Sequence, residues 1–182
     1  MDPAINFCSS CGARVALRIP PGDTLPRHVC DQCGAIHYRN PRVVVGALPI
    51  WQDEVLLCRR AIDPRLGKWT LPAGFMENGE TVAQGAMRET LEEACARIEV
   101  GEMFSLVSVP GVNQVHVFYR AQLLTPEFAP GEESLETALF KEEAIPWDEL
   151  AFRTVEFTLR KFFADRRSGR YGFHSTDIET RR

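Results

Sequence analysis

Three carboxylates in one short stretch constrain this chain more than any other feature. Residues 74–96 read GFMENGETVAQGAMRETLEEACA, and Glu89, Glu92 and Glu93 stand there at i, i+3 and i+4. On an α-helix those positions share one face, with neighbouring side chains about 5–6 Å apart. Like charges held so close destabilise an isolated helix. A bound hard cation compensates for them, and Mg²⁺ is the natural candidate for clustered oxygen ligands. Thr81 is the natural N-cap, and the pattern predicts a helix from there to about Cys95. Ala83, Ala86, Met87, Thr90, Leu91 and Ala94 are expected to face the core, where small residues let the helix sit close to a sheet.

The cysteines give a second constraint. Cys8, Cys11, Cys30 and Cys33 form two C-x2-C knuckles, while Cys58 and Cys95 stand alone. Paired knuckles at this spacing read as a tetrahedral zinc site, and Gly12 and Gly34 suit the tight turns that follow each second cysteine. Two disulfides are the competing reading. The N-terminus MDPAINFCSS has no basic start followed by an apolar core, so no secretory signal is expected, and a reducing cytoplasm favours zinc. A shell of four thiolates leaves no position for substrate, so the zinc would be structural. His28 and His37 lie nearby and read as surface or packing residues. Cys58 and Cys95 read as small buried fillers.

Residues 1–39 look like a zinc ribbon, and residues 40–182 form the main domain after the break at Pro41. Val43 to Trp51 and Glu54 to Arg59 read as strands joined by a turn at Gln52-Asp53. The segment from Asp63 to Asn78 reads as a shaped loop. Phe104 to Val109, Val115 to Leu124 and a short piece from Leu139 read as further strands. Pro146 to Leu150 and Arg153 to Ala164 read as helices. The fold class is therefore α+β. The net charge of −4 argues against extended nucleic-acid binding, although the tail from Arg160 to Arg182 is locally basic. No apolar run approaches the roughly 18 residues that cross a bilayer.

The helix segment resembles the signature of Nudix hydrolases, G-x5-E-x7-R-E-U-x-E-E-x-G-U, at Gly74, Glu80, Arg88, Glu89, Glu92 and Glu93. It departs at Thr90, Cys95 and Ala96, which are packing or helix-ending positions. The resemblance implies an α/β/α sandwich with a mixed sheet. It also implies hydrolysis of a nucleoside diphosphate linked to another group, in a phosphoanhydride reaction that depends on Mg²⁺ or Mn²⁺. By that likeness Glu89, Glu92 and Glu93 hold the catalytic metal, with the backbone carbonyl of Ala73 completing the shell. Arg88 and Glu80 pair to hold the loop on the helix. Glu92 and Glu93 serve catalysis, and relatives often supply a base from a later loop. Glu136, or Glu133, in Pro130 to Glu136 is the candidate for that base.

A ribbon joined to such a domain occurs in NADH pyrophosphatases and in a plant-type FAD/ADP-ribose pyrophosphatase group. The S-Q-P-W-P-F-P run of the first group is absent from Ser105 to Gly111. The second group is the more similar, in Asn40-Pro41, Trp69 to Gly74, Gln84 to Thr90, Glu133 to Glu136 and Leu150-Ala151-Phe152. FAD or ADP-ribose is therefore the favoured substrate, an NADH-type activity or a non-catalytic nucleotide sensor the alternative. Phe75 and Phe118 are candidates to stack on a ring, and Arg59 or Arg60 to meet phosphate. A cytoplasmic enzyme, with a ribbon that braces the fold or joins a homodimer, completes the expectation.

Overall fold

The computed structural model describes residues 5–179. Arg181 and Arg182, the end of the basic tail, lie outside them. The chain forms two compact units, Met1–Pro41 and Arg42–Arg182. In the first, β1 (Val15–Arg18), β2 (Arg27–Cys30) and β3 (Ile36–His37) make an antiparallel sheet. Its two knuckles are built alike. The Cys8 amide donates to Ala13 and the Gly12 amide to Cys8 at 2.7 and 2.9 Å, while Cys30 to Ala35 and Gly34 to Cys30 repeat the pattern at 2.9 and 3.0 Å. Gly12 and Gly34 have φ of 75° and 74°, a backbone that only glycine takes without strain.

The second unit contains β4 (Arg42–Trp51), β5 (Glu54–Arg60), β6 (Trp69–Thr70), β7 (Ala73–Phe75), α1 (Val82–Ala94), β8 (Ile98–Val109), β9 (Gln114–Leu123), β10 (Ser134–Phe140), α2 (Arg153–Ser168) and β11 (His174–Asp177). Its sheet runs β10-β5-β4-β9-β8-β11. Pairing is parallel between β4 and β9 and between β8 and β11, and antiparallel elsewhere. The mixed sheet and two helices match the expected fold class. Among the described residues no helix is long and apolar enough to cross a membrane.

Strand alternation divides the core into two layers. Leu48, Ile50, Val55, Leu57 and Phe118 pack with Val155, Leu159, Phe162 and Phe163 of α2. On the other face Ala47, Leu56, Cys58 and Ala121 pack with Ala86 and Ala94 of α1. The α2 layer is built from large side chains, whereas in the α1 layer alanines of both helix and sheet (Ala47, Ala86, Ala94, Ala121) lie among Leu56, Ile98 and Leu123, and small residues let a helix sit close to a sheet.

One edge of β4 is shared. Val44 to Gly46 pair with β7, whereas Ile50 and Trp51 pair with β5. The Ala47 amide in the gap between them donates to the Pro72 carbonyl at 3.2 Å. The sheet thus forks at this edge, and the fork brings the backbone of Ala73 and Gly74 against Glu93 and Glu89 of α1, while Leu71 packs in the α2 layer.

The capping box of Thr81 and Gln84 starts α1 as expected, and Cys95 ends it. The buried face differs from expectation. Met87 and Leu91 are 40% and 50% exposed, and Glu89 and Glu93 are buried with Ala86, Thr90 and Ala94. The helix is rolled so that its acids, not its larger apolar residues, face the sheet. Thr90, where the family signature has an apolar residue, satisfies its hydroxyl on the Ala86 carbonyl at 2.8 Å. Cys95 is exposed rather than a buried filler.

Other differences have local causes. Glycine-bearing residues 69–75 form the short β6 and β7. The polar strand β11, His174–Asp177, shows no apolar alternation and is held by pairing with β8. β8 begins at Ile98 and β10 at Ser134, both earlier than expected. The segment after Pro146 makes only a single 3-10 turn, Trp147–Glu149.

Cys95 has φ of 48°, a left-handed conformation, at the place where the family signature carries glycine. A Cβ in that region costs roughly 1–2 kcal/mol. Cys95→Gly is expected to stabilise the folded chain by about 1 kcal/mol, read as a higher midpoint in urea unfolding with an unchanged slope.

Candidate active site

Arg88 organises the acidic cluster. Its Nε and Nη2 donate to the two oxygens of Glu80 at 3.0 and 2.8 Å. Nη1 donates to Glu89 Oε1 at 2.7 Å and to Glu92 Oε2 at 2.9 Å, and Nη2 also reaches the Phe75 carbonyl at 3.2 Å. The Arg88–Glu80 pair therefore holds the glycine loop onto the helix, as expected. Arg88, with the Glu77 amide, pulls the Glu80 carboxyl down to about 2.

The two buried carboxylates, Glu89 and Glu93, behave in the opposite way. Burial pushes the Glu89 carboxyl up, against the pull of Arg88. Burial and then the neighbouring charge of Glu89 push Glu93 up to about 8. Its Oε2 accepts the Ala73 amide at 3.3 Å, so β7 is tied to the last turn of α1. Gly74 packs so closely on the Glu89 carboxylate that a Cβ there would lie 2.3 Å from Oε1. The helix crowds the carboxylates of Glu89 and Glu93 into its buried contact with the sheet. Glu89, Glu92 and Glu93 are oxygen ligands of the type a hard divalent cation takes, although among the described residues the metal-ligating side chains that converge on one point are the four cysteines.

The segment before β10 seals the end of the helix. The amides of Ala129 and Gly131 donate to the Ala94 and Glu93 carbonyls at 2.9 and 3.0 Å, satisfying acceptors that a helix C-terminus leaves open. A Cβ at Gly131 would fall 1.7 Å from the Glu92 carbonyl oxygen, so only glycine permits this approach. The docking brings Glu133 to the site, where its charge reaches both Glu89 and Glu93. Glu136 is not in a loop. It lies within β10 opposite Arg59, and the two side chains pair at 3.5 Å on the surface.

Arg59 also donates to the Gly67 carbonyl at 3.0 Å. The adjacent Arg60 is the guanidinium whose charge reaches Glu93. It sits opposite Ser134, its Nε donates to the Pro64 carbonyl at 2.8 Å, and it lies over the Phe152 ring. Phe118 is 1% exposed in the α2 layer of the core and offers no ring face to a ligand. Sequence alternation in β9 left its face open; packing against Gly46 and α2 decides it. Phe75 is 46% exposed, and alternation along β7 turns it away from Glu89 and under the Arg42 guanidinium, 4.4 Å from the ring centre.

In the first unit, the four cysteine sulfurs lie within 4.8 Å of one another. Cys8 and Cys33 are 3.6 Å apart and Cys11 and Cys30 3.5 Å, and all are free thiols. Sulfurs about 2.3 Å from one ion sit about 3.8 Å apart on a tetrahedron. The cluster fits zinc and does not have the spacing of bonded disulfides.

Comparison with known proteins agrees with this geometry. Residues 6–39 match the family model described as Nudix N-terminal, a zinc ribbon, and residues 40–165 match the NUDIX domain. The chain belongs to the Nudix hydrolase family. It is 32% identical over 167 residues to the NAD-capped RNA hydrolase NudC of Pseudomonas aeruginosa, across 90% of this chain and 57% of that protein. The chain thus spans little more than half the length of that curated relative. It is 28% identical over 119 residues to the ADP-ribose pyrophosphatase of Methanocaldococcus jannaschii, across 63% of this chain and 69% of that one. The crystal structure of a Nudix hydrolase from Nitrosomonas europaea superposes with a TM-score of 0.94 at 53% identity, covering 97% of this chain and 100% of that one.

Two measurements test the site. Purified protein is expected to hold about one tightly bound zinc per chain by metal analysis, as a closed four-thiolate site requires. Without added Mg²⁺ or Mn²⁺, the folded state binds the Glu93 proton more tightly than the unfolded chain between pH 4.5 and about 8. This contribution to stability is present below that window and is lost as pH rises through it. The melting temperature of the wild type should therefore fall more steeply from pH 5 to 8 than that of Glu93→Gln. Equal slopes would remove the burial argument.

Proposed function

We propose that this chain is a divalent-metal-dependent pyrophosphohydrolase that splits an ADP-linked compound into AMP and a second phosphorylated product. ADP-ribose and FAD are the favoured substrates. The observation that carries the reading is the buried Glu89–Glu93 pair, set against Gly74 and the Ala73 amide at the fork of the sheet. Two carboxylates with raised proton affinity, held at a dry surface, are a poor surface decoration and a good cation trap.

Glu89 and Glu93 are proposed as direct Mg²⁺ or Mn²⁺ ligands. Glu92, more exposed, would ligate directly or through water, and the Ala73 carbonyl would complete the shell. When bound, the cation neutralises the diphosphate and lowers the pKa of an attacking water. Arg88 keeps Glu89 and Glu92 in register by bridging them to Glu80. For the base, Glu133 is better supported than Glu136, because its charge reaches the acids and Glu136 is paired with Arg59. Arg60, rather than Arg59, is the better supported phosphate contact. Phe75 with Arg42 forms an exposed cation–π rim that a substrate ring could extend.

An NAD-type substrate is a second reading. It is favoured by the likeness to NudC, which extends through the ribbon as well as the catalytic domain. ADP-ribose, FAD and NAD share the adenosine diphosphate half, so the same carboxylate site serves each. A cytoplasmic location and a homodimer remain part of the proposal.

A hydrolysis panel of ADP-ribose, FAD, NADH and NAD-capped RNA with Mg²⁺ and Mn²⁺ separates the readings. Glu93→Gln is expected to abolish turnover of every substrate while the zinc content and melting cooperativity persist. Glu133→Gln should lower kcat by about 10²-fold or more, and Glu136→Gln by much less. Full activity in Glu93→Gln would overturn the metal-site reading, and the reverse order of the last two would return the base to Glu136.

A further inference from the structure

The ribbon holds a buried polar atom that neither the zinc ligands nor the sheet uses. Nε2 of His37 is shielded from solvent and has no hydrogen-bond partner among the described residues. Register explains where it points. In the antiparallel ladder His37 stands opposite His28, and His28 lies two residues before Cys30 on β2. Successive side chains alternate across a strand, so His28, His37 and Cys30 share one face. That face is the one from which Cys30 projects its thiol, and the Cys8 sulfur lies within 4.8 Å of the Cys30 sulfur; His37, with the Ser10 and Cys11 amides, is among the groups that draw the Cys8 thiol down. Cys8 and Cys30 are the buried members of the cluster; Cys11 and Cys33 are exposed.

A zinc ion with four thiolates carries a net charge of −2, half of it facing the interior here. Burying such charge without donors is costly. The backbone supplies some: the Ser10 amide lies 3.4 Å from Cys8 Sγ and the Cys33 amide 3.5 Å from Cys30 Sγ. An imidazole N–H aimed at Cys8 adds a donor on the side that water cannot reach. We propose that His37 is a positioning residue of the zinc site, donating Nε2–H to the Cys8 thiolate and thereby slowing loss of the metal. It is not a fifth ligand, because the tetrahedral shell is already complete. The inference rests on the zinc reading of the four cysteines, and a chain that holds no zinc would sink that reading rather than this one.

The donor is fixed first in the unaltered protein. In the zinc-loaded, full-length chain, ¹⁵N-resolved NMR of the His37 ring is expected to show a proton on Nε2. A proton on Nδ1 alone, leaving Nε2 bare, would overturn the assignment without any mutation. The second measurement is zinc transfer to a chromophoric chelator. His37→Phe is expected to release zinc on the order of tenfold faster than wild type, the usual scale for loss of a partner to a metal ligand. His37→Gln, which retains an N–H donor, and His28→Phe, which alters the neighbouring ring, should stay much closer to wild type. With Co²⁺ in place of zinc, the thiolate-to-metal charge-transfer band should shift in His37→Phe and not in His28→Phe. Equal release rates and unshifted spectra in zinc-loaded, folded variants would refute the role.

Discussion

Placement of Glu89 and Glu93 on the inner face of α1 is the constraint around which the catalytic unit is arranged. A helix that buries carboxylates against a sheet must find them donors, counter-charges or a cation. The Ala73 amide and the Arg88 guanidinium supply the first two, and the absence of a side chain at Gly74 lets the Glu89 carboxylate lie against the backbone of β7. Each partner depends on a different part of the fold. Ala73 and Gly74 are held by pairing with β4, Arg88 by Glu80, and the far end of the helix by Gly131. The fork at the β4 edge is what allows the backbone of β7 to reach the helix at all.

The raised and lowered carboxyls divide the labour. Glu80 is kept ionised by Arg88 and serves as a fixed anchor for the guanidinium. Glu93 holds its proton more strongly than an ordinary carboxyl, with burial and then the neighbouring charge of Glu89 as the cause. On the metal-site proposal, a cation would compete with that proton for the same oxygens, and its affinity would vary with pH in the range where the group titrates.

Much of this was legible in the sequence because it depends on local spacing. The i, i+3, i+4 acids, the Thr81 cap and the cysteine knuckles each act within one turn or one hairpin, and each appears where the pattern put it. What could not be read depends on contacts distant along the chain. Periodicity alone assigned Met87 and Leu91 to the core, because hydrophobicity predicts burial only when no site competes for the inner face. Phe118 looked free because alternation does not say that both faces of β9 are covered. Glu136 looked like a loop residue because the strand that holds it is defined by its pairing with β5, not by apolar alternation. The three departures from the family signature have physical readings as well. Thr90 bonds back to Ala86, Cys95 takes the left-handed turn, and Ala96 fills the small-residue layer.

That layer has a mechanical meaning. Ala47, Ala86, Ala94 and Ala121 act as a thin shim between helix and sheet, whereas the opposite face is cushioned by phenylalanines and leucines. A cushion of long side chains absorbs an added methylene by shifting rotamers; a shim has no such slack. Thickening it would jack α1 outward and carry its acids away from a backbone they touch at hydrogen-bond range. The spacing of a reactive centre on this scaffold is therefore gauged by residues that carry no polar chemistry of their own.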